Sequence, residues 1–202
     1  MGSSIVKRAF THARMASVDG VNLGLRKGEF NLWWQGKGGL RMKSTSGFIK
    51  NLLNYEEPPA ALVLHVGGND IGQLPLKQLR KDMLTLLNEL YMLLPNTIFI
   101  WSQILPRLQW RNEISHRALE KCRVRLNSFA ATKVLQEGGR YIRYPEIVEE
   151  DTGLFCDGVH LSHVGNDIFL YRIHQALQIF SKSSTSFVSP PLGEFGPWQL
   201  LM

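Results

Sequence analysis

A chain of 202 residues, 44 % hydrophobic and 20 % charged, has the make-up of one globular domain with room for a substantial core. Cys122 and Cys156 make neither a disulfide framework nor a metal-ligand spacing, which suits a reducing, intracellular and cytoplasmic setting. No apolar run approaches the roughly 18 residues of a membrane span, the amino end is too polar for a signal peptide, and Val6 stands where a myristoylation signal wants Ser or Thr. The formal charge of +6 permits attraction to nucleic acid or anionic lipid. Much of the excess lies at Arg107, Arg111, Arg117, Lys121, Arg123, Arg125 and Lys133, where a solvated basic face is the simpler reading.

In chain order, Ile5 to Arg14 has helical spacing, with Ile5, Ala9, Phe10 and Ala13 on one face. Ser17 to Gly24 reads as a connector around Asp19-Gly20. Glu29 to Gln35 is a strand candidate running into Gly36-Lys37-Gly38-Gly39, and Ser44 to Leu53 a helix stopped before Pro58-Pro59. Ala60 to Val66 is a near-continuous apolar run, as expected of a parallel strand buried on both faces. An amphipathic helix follows over Leu76 to Leu93, broken by Pro95-Asn96. Thr97 to Leu105 predicts a second buried strand, Glu113 to Gln136 a long helix, Arg140 to Tyr144 a short strand and Ser162 to Phe180 the last helix. The chain divides into a domain over residues 1–180 and a Ser-, Pro- and Gly-rich tail over 181–202, loosely ordered or docked through aromatics such as Trp198.

This alternation predicts an α/β fold with a parallel sheet and right-handed crossovers. Chemistry in such sheets gathers beyond the carboxyl ends of the strands. Four short blocks fall at that edge: Gly2-Ser3-Ser4, Gly38-Gly39, Gly67-Gly68-Asn69-Asp70 and Asp157-Gly158-Val159-His160. Taken singly, each has a plain structural reading: a helix cap, a turn needing positive φ, turn chemistry, a common Asp-x-x-His. An Asp three residues before a His can nonetheless hold one imidazole nitrogen and leave the other facing a reaction centre. A serine hydroxyl becomes a useful nucleophile beside such a base.

In this order, over residues 2–165, the blocks resemble the SGNH hydrolases, the GDSL-type esterases and lipases. The wording of the blocks is also similar to copies of this domain carried by vertebrate mobile elements. The resemblance implies a three-layer sandwich with a flavodoxin-like sheet, strand order 2-1-3-4-5. It implies Ser4 as nucleophile, His160 as base and Asp157 as its partner, with Ser3 where the family has Asp. It implies an oxyanion hole from the backbone N–H of Ser4 and Gly39 and the side chain of Asn69, and hydrolysis of a small or lipid-like carboxylic ester with no metal or organic cofactor. The family's nucleophile follows a first, central strand, and here only Met1 precedes Gly2. That strand is expected to be lacking, its place lying between the Trp33-Trp34 segment and Ala60–Val66. The rival implied by that gap and by the charge is a truncated, non-catalytic domain that binds an anionic partner.

Among the remaining candidates, His65 is expected in the core with a hydrogen-bond partner and His163 in solvent. One of Trp33 and Trp34 is expected in the core, the other free to wall an acyl pocket. Cys156 is a poor nucleophile candidate, because a neighbouring carboxylate disfavours the thiolate.

Overall fold

The computed structural model describes residues 1–16, 19–110, 114–182 and the backbone of Phe187–Val188. Its elements, in chain order, are α1 (Ser4–Met15), α2 (Met42–Leu52), β1 (Ala61–Leu64), α3 (Leu76–Leu93), β2 (Ile98–Ser102), α4 (His116–Gln136), β3 (Arg140–Ile142), a 3-10 turn (Thr152–Leu154), α5 (His163–Lys182) and β4 (Phe187–Val188). The sheet is parallel in the order β1-β2-β3-β4.

Side-chain alternation along β2 builds two cores. Phe99 and Trp101 point to one face, where Met42 and Ile49 of α2, Leu79, Met83 and Leu86 of α3, and Leu126 and Val134 of α4 close over them. Ile100 points to the other, against Ile5 and Ala9 of α1 and Phe169 and Ile173 of α5. The result is the expected three-layer α/β sandwich. Helix α3 has the predicted bounds because Pro75 can begin a helix but not continue one, and because Leu79, Met83, Leu86, Leu87 and Leu90 are buried at helical spacing.

Gly2 forms parallel bridges to Gly36 on one side and His65 on the other. Its N–H donates to the Gln35 carbonyl at 2.8 Å and its carbonyl accepts from Lys37 N–H at 2.9 Å. The His65 N–H donates to the Met1 carbonyl at 3.0 Å, and the Met1 amine to the Val63 carbonyl at 2.9 Å. Met1 and Gly2 therefore stand where the first strand was expected, between the end of the Trp-Trp segment and β1, and pair there through isolated bridges.

The expectation of a strand over Glu29–Gln35 needs correction. That segment forms no ladder, because Met1-Gly2 reaches it only at its end, and Glu29 itself lies in a turn. Asn22 straps its outer side instead, its Oδ1 accepting from Leu32 N–H at 3.0 Å and its Nδ2 donating to the Phe30 carbonyl at 3.3 Å. Helix α5 runs to Lys182, past the proposed boundary at 180, and Phe187–Val188 pairs with β3 inside the proposed tail. The predicted helix start at Glu113, Arg111 and the tail containing Trp198 lie outside the described residues.

Gly36 is where this segment passes closest to α1: a Cβ there would sit 2.5 Å from both Cα and N of Lys7. No backbone can yield that much locally. Gly36→Ala is expected to destabilise the domain by about 1–3 kcal/mol, read as a lower urea midpoint, and an unchanged midpoint would show that the approach is not fixed.

Candidate active site

The residue after the Gly2 bridge is Ser3, and Ser4 opens α1. The first intrahelical bond runs from Lys7 N–H to the Ser3 carbonyl at 3.2 Å, so the Ser4 N–H lies ahead of the helical ladder. Sheet pairing thus aims a helix amino terminus, with its partial positive charge, at the carboxyl edge of the sheet. The opposing wall is the turn after the 3-10 segment. His160 Nε2 lies 2.9 Å from Ser4 Oγ, and His160 Nδ1 lies 2.7 Å from Asp157 Oδ2. Hydroxyl, imidazole and carboxylate, 156 residues apart at the extremes, form one hydrogen-bonded chain.

Burial works against the Asp157 charge, but three hydrogen bonds outweigh it and hold the carboxyl at about 2, below its ordinary 3.8. They come from the His160 N–H (2.7 Å), the His160 ring (2.7 Å) and the Val159 N–H (3.1 Å). One helical turn beyond Ser4, Arg8 places Nη1 3.5 Å from Asp157 Oδ2 and 3.4 Å from Cys156 Sγ. With both side chains close to half exposed, that ion pair adds little stability, though it helps fix which way the carboxylate faces.

Asn69 comes from the loop after β1. Its Nδ2 donates to the Leu40 carbonyl at 3.1 Å and its Oδ1 accepts from Arg107 at 3.2 Å, which fixes the amide plane and leaves a second N–H on Nδ2. Asp70 accepts from Met42 N–H at 3.2 Å, capping α2, and burial pushes its carboxyl up to about 6. The Asn69 loop is thereby tied to the loop carrying Gly39. Gly39 is exposed with φ of 71°, a left-handed conformation that favours glycine, and a Cβ added there would meet nothing within 4 Å.

Sequence reasoning missed the loop after β2. The N–H groups of Leu108 and Gln109 both donate to the Gly158 carbonyl, at 2.8 and 3.1 Å, anchoring this loop on the Asp157–His160 turn. The buried Arg107 reaches from it to Asn69 and packs 5.0 Å from the Trp110 ring. Gln109 and Trp110, with Asp157, Val159 and His160, line a cavity of about 350 Å³. The available signal was position alone: this stretch follows a buried strand at the same edge.

His65 is buried and held by Ser102 Oγ at 3.0 Å, and burial, first among the causes, pushes its pKa down to about 3. The core reading holds, with a side-chain partner. His163 is exposed, edge-on to His12. Trp34 packs into the α1/α5 core while Trp33 is largely exposed. Cys156 is exposed, and burial raises the Cys122 thiol. Among the described residues His116, Glu120 and Glu149 bring potential metal ligands within 4.8 Å of one another. His116 Nε2 is bonded to the Arg107 carbonyl at 2.8 Å and Arg123 donates to Glu120 at 2.6 Å, so an ion-pair network accounts for the cluster. Among the described residues no helix is long and apolar enough to cross a membrane.

Searches against family models and against curated proteins find no match. Solved structures do match. A GDSL-like lipase from Bacteroides thetaiotaomicron is 18 % identical, with 88 % of this chain and 85 % of that chain covered at a TM-score of 0.66. A lipolytic protein of the G-D-S-L family from Veillonella parvula is 15 % identical, with 90 % and 96 % covered at 0.67. The OSK domain of Drosophila Oskar is 17 % identical, with 89 % and 87 % covered at 0.63. At these identities the likeness establishes the SGNH-hydrolase fold.

The Asp157 value carries a pH signature. A carboxylate held below its unfolded value contributes stability fully present above about pH 4 and lost as the pH falls through about 2. The melting-temperature gap between the parent and Asp157→Asn is expected to be constant from pH 7 to 4 and to close below that. A gap undiminished at pH 2 would count against these hydrogen bonds as the cause.

Proposed function

We propose that this chain is a serine hydrolase of the SGNH type, cleaving carboxylic esters through an acyl-enzyme. The observation that carries the reading is the hydrogen-bonded chain from Ser4 through His160 to Asp157, with spacings of 2.9 and 2.7 Å. Ser4 Oγ attacks the acyl carbon as its proton passes to His160 Nε2. Asp157 keeps the proton on Nδ1 and stabilises the imidazolium. Negative charge building on the carbonyl oxygen is met by the N–H of Ser4, the N–H of Gly39 and the free N–H of Asn69. The helix terminus under Ser4 favours the same charge. Collapse of the tetrahedral species breaks the ester C–O bond, and the alcohol leaves with the proton from His160. Water, activated by the same histidine, then releases the acid. These steps use side chains and main-chain donors alone. An acceptor alcohol in place of water would make the enzyme an acyltransferase. The cavity beside His160, bordered by Gln109 and Trp110, is the place for the substrate.

A second reading, binding of a nucleic acid or anionic lipid without catalysis, is favoured by one feature. Arg117, Lys121 and Arg125 are exposed at four-residue steps, forming a stripe along α4. Binding to it should weaken steeply with salt.

Ser4→Ala is expected to reduce p-nitrophenyl acetate hydrolysis to background and to abolish labelling by a fluorophosphonate. Asn69→Ala should lower the rate by about 10²–10³ with labelling retained but slowed. A Ser4→Ala variant as fast as the parent would exclude this mechanism.

A further inference from the structure

Among the described lysines and arginines only Arg107 is buried, at 8 % exposure. A guanidinium out of water is costly unless its surroundings answer it, so its place in the fold calls for a reason. The loop that carries it is held on both sides. Before it, Asn127 of α4 accepts from the Ile104 N–H at 2.8 Å and donates to the Ile104 carbonyl at 3.0 Å. Arg123 donates to that same carbonyl at 3.0 Å. After it, the Leu108 and Gln109 N–H groups hold the Gly158 carbonyl, and the Arg107 carbonyl itself is bonded to His116 Nε2 at 2.8 Å. The side chain lies 5.0 Å from the centre of the Trp110 ring and passes beside Gly68, where an added Cβ would stand 2.9 Å from Nη2.

At its far end Arg107 Nη2 donates to Asn69 Oδ1 at 3.2 Å, and the other end of that amide donates to the Leu40 carbonyl at 3.1 Å. A guanidinium offers only donors and a carbonyl only lone pairs. The two contacts are therefore met by one orientation of the amide and by neither end of its flipped form. The second hydrogen on Nδ2 is left with a fixed direction. Donation from a cation into Oδ1 also draws electron density away from the N–H groups of the amide, which makes each a stronger donor. Burial of the guanidinium preserves this effect, because little solvent intervenes to screen it.

We propose that Arg107 is a positioning residue for ester cleavage that acts through Asn69, keying its amide and strengthening the N–H that meets the developing oxyanion. This role rests on the serine-hydrolase reading and adds to it a cation outside the triad. The carbonyl oxygen carries negative charge in the tetrahedral species of both acylation and deacylation, and little in the bound ester. Arg107 therefore favours the transition states of both steps over the ground state, and its removal is felt in kcat with KM left in place.

The test uses the full chain with Arg107→Met, Arg107→Gln and Arg107→Lys, each in the parent and in the Asn69→Ala background. The readouts are p-nitrophenyl acetate hydrolysis and the rate of Ser4 labelling by a fluorophosphonate. In the parent background the Met and Gln variants are expected to lose about 10–10² in kcat, with KM within about twofold and labelling slowed in parallel. In the Asn69→Ala background the same substitutions should cost about twofold or less, because the group they act through is gone. Arg107→Lys keeps the charge and a donor and is expected to recover to within about fivefold of the parent. Equal losses in the two backgrounds would overturn the proposal, since Arg107 would then be holding the whole site and not Asn69. A loss confined to KM would overturn it as well, as would a Lys variant no faster than the Met one. If Arg107→Met does not fold, Arg107→Gln decides, and if neither folds, Arg107 is a structural cation and the proposal falls. Parent-like Met and Gln variants with Ser4 labelling intact would sink this role alone, whereas hydrolysis indifferent to Ser4→Ala would sink the serine-hydrolase reading beneath it.

Discussion

The site depends on how Gly2 is held. Its main chain is hydrogen-bonded to Gln35 and Lys37 on one flank, and its neighbour Met1 to Val63 and His65 on the other. Two residues of strand leave α1 with one direction in which to start. That direction puts the Ser4 hydroxyl 2.9 Å from His160 Nε2. Bridges at both edges also explain why Gly stands at residues 2 and 36. At Gly2 a Cβ would lie 2.4 Å from the His65 carbonyl oxygen, and at Gly36 it would lie inside the α1 backbone.

Around that anchor, the loops at the carboxyl edge are tied to one another rather than separately to the sheet. Asp70 caps α2 and so links the Asn69 loop to the one bearing Gly39. Arg107 reaches from the loop after β2 to Asn69, and the adjoining Leu108 and Gln109 hold the Gly158 carbonyl. Asp157 in turn collects two N–H groups and an imidazole. In the proposed mechanism, preorganisation of this kind would let partial charges meet a developing oxyanion without first reorganising solvent. Asp157 and His160 are therefore fixed from two sides, by β2's loop and by α1 through Ser4 and Arg8.

The two ends of the central sheet position have opposite characters. Toward the carboxyl edge it is filled, paired and polar, and it leads directly into Ser4. Toward the amino edge it opens into an apolar cavity flanked by main-chain groups. The bonds of Met1-Gly2 to both flanks thus suffice to fix the turn into α1. The bulk of the fold is insulated from the gap, since β2 and β3, with Trp101 and Phe169 fully buried, carry the cores on either face.

The sequence by itself determined the helices, the strands β1 to β3 and the α/β class, because apolar periodicity reports on which faces leave water, although β1 is buried only at Leu64 and not on both faces throughout. Through the resemblance carried by four blocks in one order, it also pointed to Ser4, Gly39, Asn69, Asp157 and His160 as candidates. Glu29–Gln35 failed to become a strand because a ladder is a property of two segments, and Met1-Gly2 meets it only at its end. Arg107, Gln109, Trp110 and Arg8 were invisible for the same reason. Their roles come from contacts across 38 to 148 residues of sequence, which no local pattern encodes. Only the tertiary structure decided that the hydroxyl and imidazole meet, because hydrogen-bond distances are set by how layers pack and not by spacing along the chain.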